Sequence, residues 1–148
     1  MKNPPGRALL AFIILGISLS IFVFSLSQDT FCIESGCRGQ WDGAFIFLFG
    51  GLLSFASPAG LSWLANPFII ASWLTIKKNN KASLVLSLLA LLFSISFLFF
   101  KKVADDESGD LRQITTYQSG YWLWLSSIAI MAVGNLFLFI KFRKQGLA

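Results

Sequence analysis

The chain has 148 residues, of which 55% are hydrophobic and 13% charged, with a mean hydropathy of +0.71 and a formal net charge of +5. A soluble domain carries roughly a quarter charged residues, so this composition excludes one, and the length leaves no room for a separate soluble domain. The basic residues flank apolar runs instead of clustering, which makes them topology signals and argues against a nucleic-acid partner.

Pro4, Pro5 and Gly6 are expected to hold the start of the chain out of helix. The apolar run from Ala8 to Ser27 then predicts a first span, since about 20 residues rising ~1.5 Å each cross a ~30 Å hydrocarbon core. Lys2, Arg7 and Ser25-Leu26-Ser27 superficially suggest a signal peptide, but the run exceeds the usual apolar core of about 7–15 residues. An uncleaved helix is expected. Gly16 and Ser20, four apart, form a small face suited to close packing. Residues 28–43 read as a polar loop holding Cys32 and Cys37 and closed by Trp41, an interfacial aromatic.

From Ala44 to Ile76 there are 33 residues without a formal charge. One straight helix of that length would reach ~50 Å, too long for a bilayer without strong tilt. Gly50-Gly51, Pro58 and Pro67 offer break points. The expectation is a second span over 58–76, with Pro58 near its first turn, preceded by a short helix over 44–57 that is interfacial, re-entrant or joined at a kink. One long kinked helix is the alternative.

Lys77-Lys78-Asn79-Asn80-Lys81 reads as a tight basic turn that makes the second and third spans antiparallel neighbours. The third span covers 82–100. Its Ser83, Ser87, Ala90 and Ser94 share one helical face, suited to packing inside the bundle or to docking another membrane protein. Residues 101–120 read as an acidic outer loop. Its run Asp105-Asp106-Glu107, with Asp110, lacks the ligand spacing of an EF-hand and reads as solvated. The fourth span covers 121–140, and Tyr121, Trp122 and Trp124 suggest an aromatic belt at its start.

With the N-terminus inside, the inner side holds eight basic residues: Lys2, Arg7, Lys77, Lys78, Lys81, Lys141, Arg143 and Lys144. The outer side holds four, namely Arg38, Lys101, Lys102 and Arg112, together with all seven carboxylates. The positive-inside rule therefore places both termini in the cytoplasm. The expected fold class is all-α: a polytopic membrane protein with a four-transmembrane-helix bundle, a Pro-broken second segment and a single domain over 1–148 in the cell membrane.

Cys32 and Cys37 fall in the outer loop, where an oxidising compartment permits a disulfide. A structural staple is the first reading, with Gly36 easing the tight ring. A redox-active pair is the second. The layout is similar to four-helix membrane thiol oxidoreductases of the DsbB kind, which place a dithiol in a comparable loop. It departs from them in its Cys-x4-Cys spacing and in having no second pair. Two thiolates in a chain without His do not make a zinc site, so no metal and no cofactor is expected.

No Asp, Glu, Lys, Arg or His falls in an expected span, which argues against proton-coupled transport and voltage sensing. Amides and hydroxyls remain. Asn66, beside Pro67, and Asn135 each need a partner, and either local capping or a bond between the two amides would supply it. Ser62 to Pro67 also reads as a helix break that would coordinate a solute. These features lead to a non-enzymatic accessory or binding subunit whose partners are the lipid bilayer and another membrane protein. A thiol-disulfide oxidoreductase and a small-solute channel or transporter centred on Asn66-Pro67 are the competing readings.

Overall fold

The computed structural model describes residues 5–34, 36–37, 42–53, 58–104 and 111–143. Lys2, Pro4, Arg38, Trp41, residues 54–57, the acidic run 105–110 and Lys144 lie outside the described residues.

The chain is predominantly helical. Helix α1 spans Pro5–Ser25, earlier than the prolines suggested. Pro5 occupies its first position, where a missing N–H forfeits nothing and the fixed φ is already helical. Helices α4 (Asn80–Ser96), extended by a 3₁₀ turn at Phe97–Phe99, and α5 (Ser119–Arg143) follow later in the chain. Among the described residues, three helical stretches are long and apolar enough to cross a membrane: Gly6–Ser25, Asn80–Phe99 and Ser119–Phe142.

Between α1 and α4 lie α2 (Gly43–Leu53), a 3₁₀ helix (Pro58–Leu64) and α3 (Ala65–Thr75). Gly50-Gly51 does not break α2. A Cβ on Gly50 would meet the Trp63 ring at 2.7 Å, so the pair forms a flat seat for that indole. Pro58 opens the 3₁₀ helix. Pro67 is the third residue of α3, inside the first turn, where a backbone N–H has no partner within its own helix. The segment therefore changes from 3₁₀ to α at Leu64–Ala65 instead of kinking at Pro67.

Helices α1, α3, α4 and α5 pack side by side. The Ser18 hydroxyl of α1 donates to the Ser127 carbonyl of α5 at 2.9 Å, and Trp73 Nε1 of α3 donates to Ser18 Oγ at 3.1 Å. Ser83 of α4 donates to Asn135 Oδ1 of α5 at 3.1 Å, and Tyr121 of α5 donates to the Ser94 carbonyl of α4 at 3.0 Å. These pairings make α1 and α4 antiparallel to α5. They bring the start of α1, the α3–α4 turn and the end of α5 to one end of the bundle.

The opposite end carries a feature absent from the sequence reading. The two stretches read as irregular loops pair with each other. Strands β1 (Phe31–Ile33), β2 (Lys102–Ala104) and β3 (Leu111–Tyr117) form an antiparallel sheet in the order β1-β3-β2. Cys32 faces Thr116, Val103 faces Arg112, and a bulge lies between Cys32 and Ile33. Phe31, Ile33, Phe97, Val103 and Tyr121 form a small core beneath the sheet.

Burial is inverted relative to a water-soluble bundle. Ser18, Ser72, Ser83, Ser87, Ser94, Ser127 and Asn135 are fully buried, while Leu9, Leu92 and Val133 are each more than 60% exposed. This distribution suits an apolar surrounding. The face of Ser83, Ser87, Ala90 and Ser94 is turned wholly inward, which removes it as a docking surface. Gly16 and Ser20 are exposed, and α1 packs instead through Ala11, Ser18, Phe22 and Ser25. Of the expected aromatic belt, Trp122 is half exposed whereas Tyr121 is buried.

Gly120, in the first turn of α5, lies against the backbone leaving α1. An added Cβ would meet the main-chain oxygens of Gln28 and Asp29 at 2.6 Å. Gly120→Ala is therefore expected to lower stability by about 1–3 kcal/mol in SDS titration of mixed micelles. Gly16→Ala, whose Cβ meets nothing within 4 Å, should leave the midpoint unchanged or slightly raised.

Candidate functional site

Below the sheet, the end of α1, helix α2, the 3₁₀ helix and the start of α5 line a half-open cavity of about 120 Å³. Its walls include Phe22, Phe47, Trp63, Phe97, Tyr121 and Trp124. Trp63 is held in place by its own ring nitrogen, which donates to the Phe47 carbonyl at 3.1 Å, and by the glycine seat in α2. The rings pack in series: Phe22 stands edge-on to Phe47 at 5.6 Å, and Tyr121 lies 5.9 Å from Trp124.

The polar groups in this wall are largely spoken for. Ser25 Oγ donates to the Phe22 carbonyl and Ser62 Oγ to the Ala59 carbonyl, both at 2.6 Å. Asn66 Oδ1 accepts from Trp124 Nε1 at 2.9 Å. With Ser25, Ser62 and the Asn66 oxygen bonded within the wall, the cavity offers mainly rings and methyls to an occupant, which suits an apolar ligand. On its outer side, the Tyr117 hydroxyl donates toward the Phe97 and Phe100 carbonyls at 3.4 Å. Burial raises the Tyr117 pKa, so it stays a neutral donor at physiological pH.

Asn66 and Asn135 are not partners. Asn135 sits toward the other end, in a knot of serines. Its Nδ2 donates to Ser72 Oγ at 3.3 Å, to the Ser83 carbonyl at 3.2 Å and to Ser87 Oγ at 3.2 Å, while its Oδ1 accepts from Ser83 Oγ. Ser72 Oγ also contacts Ser83 Oγ at 3.0 Å. The knot joins α3, α4 and α5 through one side chain. Ser62 lines the cavity, Pro58 opens the 3₁₀ helix that walls it, and Pro67, although next to Asn66, is exposed.

Cys32 and Cys37 form a disulfide that closes a small hairpin, with Ile33 bridging Gly36. Gly36 adopts φ +128°, a conformation that side chains disfavour. Cys32 is fully buried and accepts a hydrogen bond from Gln118 Nε2 at 3.1 Å, whereas Cys37 is exposed. The Gln118 contact was not legible in the sequence because 86 positions separate its two residues. The Trp124–Asn66 bond was hidden in the same way.

Asn135→Leu is expected to cost about 1–3 kcal/mol in SDS titration, because the hydroxyls of Ser83 and Ser87 and the Ser83 carbonyl lose their amide. Replacing both cysteines by Ser should lower stability by no more than about 2 kcal/mol, the chain-entropy value for so small a ring. No family model matches the chain, and neither a curated protein nor a solved structure matches it.

Proposed function

We propose that this chain is a multi-pass protein of the cell membrane with four spans and cytoplasmic termini, acting as a non-enzymatic binding subunit that holds an apolar group beneath its outer cap. The cavity under the sheet carries this reading. An apolar cavity of roughly 150 Å³ can stay dry and admit a benzene ring, so about 120 Å³ suits a short acyl or prenyl segment or a small ring. The second span, beyond the three long apolar helices, is supported by length. Seven 3₁₀ residues at ~2.0 Å and eleven α residues at ~1.5 Å give ~30 Å over 58–75. The orientation is supported by the shared end of α1, the α3–α4 turn and α5, which carries the larger share of Lys and Arg.

A thiol-exchange role is the second reading, favoured by the exposed Cys37 and by the Gln118 amide that would stabilise a released Cys32 thiolate. In it, an incoming thiolate attacks Cys37 Sγ, forms a mixed disulfide and releases Cys32. A solute path through Asn66-Pro67 is less well supported, since the Asn66 oxygen is occupied by Trp124.

A diazirine-bearing fatty acid in liposomes should label cavity residues such as Trp63 and Ala59, and Ala59→Leu should reduce that labelling several-fold. Labelling confined to outward residues such as Phe12 and Leu92 would overturn the binding reading. For topology, single cysteines at Asn79 and Thr115 are introduced into a Cys32→Ser, Cys37→Ser background. Impermeant maleimide should reach the Thr115→Cys variant in intact cells and the Asn79→Cys variant only after lysis. Adducts trapped on Cys37 in the Cys32→Ser variant would favour the exchange reading.

A further inference from the structure

The apolar cavity beneath the sheet carries one polar group that the protein leaves unused. Asn66, in the first turn of α3, lines this cavity and is only 5% exposed. Its Oδ1 accepts from Trp124 Nε1 at 2.9 Å. An indole N–H only donates, so this bond fixes which way round the amide stands, with its oxygen toward Trp124 and its Nδ2 turned away. That Nδ2 group has no hydrogen-bond partner among the described residues. It is not sealed off either. Among the described residues, the side-chain atom that is both enclosed and unpartnered is Asn80 Oδ1, at the other end of the bundle.

We infer that the occupant of the cavity is an uncharged, lipid-soluble molecule bearing a carbonyl oxygen. That oxygen accepts from Asn66 Nδ2, and the hydrocarbon part fills the space between the rings. The inference rests on the binding reading above and specifies the class of ligand for that same site.

Three features select this chemistry. The first is that other side-chain donors of the wall are consumed. Ser25 and Ser62 donate to the carbonyls of Phe22 and Ala59, Trp63 Nε1 to the Phe47 carbonyl, and the Tyr121 hydroxyl to the Ser94 carbonyl. The Asn66 amide therefore stands with unused N–H bonds among rings and methyls, where leaving them unbonded is costly and an acceptor is rewarded.

The second is charge. The described residues that line the cavity include no Lys, Arg, Asp or Glu. A carboxylate or phosphate would be buried there without a counter-ion, which disfavours ionised lipids.

The third is the count of partners. An ordered buried water takes about three polar partners, whereas mainly rings and methyls surround this amide. A carbonyl is content with one donor and brings no proton of its own to satisfy, unlike a hydroxyl. Because the cavity is half-open, a tail too large for its volume can leave through the mouth.

The test uses the full-length protein in liposomes and two diazirine probes of equal length. One is a long-chain methyl ketone, the other its analogue with a methylene in place of the carbonyl. Both should label Trp63 and Ala59, the ketone about two- to tenfold more efficiently, as one neutral hydrogen bond allows. In Asn66→Leu the hydrocarbon probe should still label these residues, which shows that the cavity persists, and the ketone should lose its advantage. A second measurement needs no variant. The infrared stretch of an isotopically labelled ketone carbonyl should move to lower frequency on binding, relative to the same ketone in protein-free liposomes. That shift decides the matter if Asn66→Leu loses hydrocarbon labelling as well. Equal labelling by the two probes, an advantage retained in Asn66→Leu, or an unshifted carbonyl band would overturn the carbonyl assignment and leave the apolar binding reading standing. So would equal labelling by the corresponding secondary alcohol. Absence of cavity labelling by either probe would instead remove the binding reading itself, and this inference with it.

Discussion

A buried amide among hydrocarbon side chains has no water to bond, and Asn135 meets that constraint with four serine contacts from two other helices. The relative rotation of α3, α4 and α5 follows from it. Ser72, Ser83 and Ser87 must all point at one side chain, so the larger apolar residues of α4, such as Val85 and Leu92, are turned outward. Small hydroxyl residues then let the helices approach closely. Helix α1 joins through a separate polar link, Trp73 to Ser18 to the Ser127 carbonyl. Polar contacts set the register between helices, and van der Waals packing of Ile69, Ile128 and Met131 fills what lies between.

The two ends of the bundle are built differently. One is capped by backbone pairing between distant stretches, with helix α2 and the Trp63 indole closing the side. That construction leaves a mainly apolar space beneath, because the Ser25 and Ser62 hydroxyls and the Asn66 oxygen bond within the wall. The other end is left open, with side-chain cations and a helix N-terminus around a cleft.

Helix positions and the inward serine face of α4 follow from composition and spacing, because both depend on residues near each other in sequence. The sheet did not. Phe31-Cys32-Ile33 and Ile114-Thr115-Thr116-Tyr117 carry the β-branched and aromatic residues of strands, but each run is short and flanked by polar residues. Their pairing joins positions more than 80 residues apart. Gly50-Gly51 was misread for a related reason: glycine in a helix suggests a break until the indole that needs the space is known. Pro67 was misread because the preceding turn is 3₁₀, which places the proline in a helix start. The Asn66 and Cys32 contacts, each to a residue of the last quarter of the chain, were out of reach of local reasoning.

The strand order β1-β3-β2 imposes a sequence of events on biogenesis. Strand β1 emerges from the ribosome early, yet the strand it pairs with, β3, is synthesised some 80 residues later. The Cys32–Cys37 bond, by contrast, joins residues only five apart and needs no later segment to form. Strand β1 thus waits for its partner while α2, α3 and α4 are made.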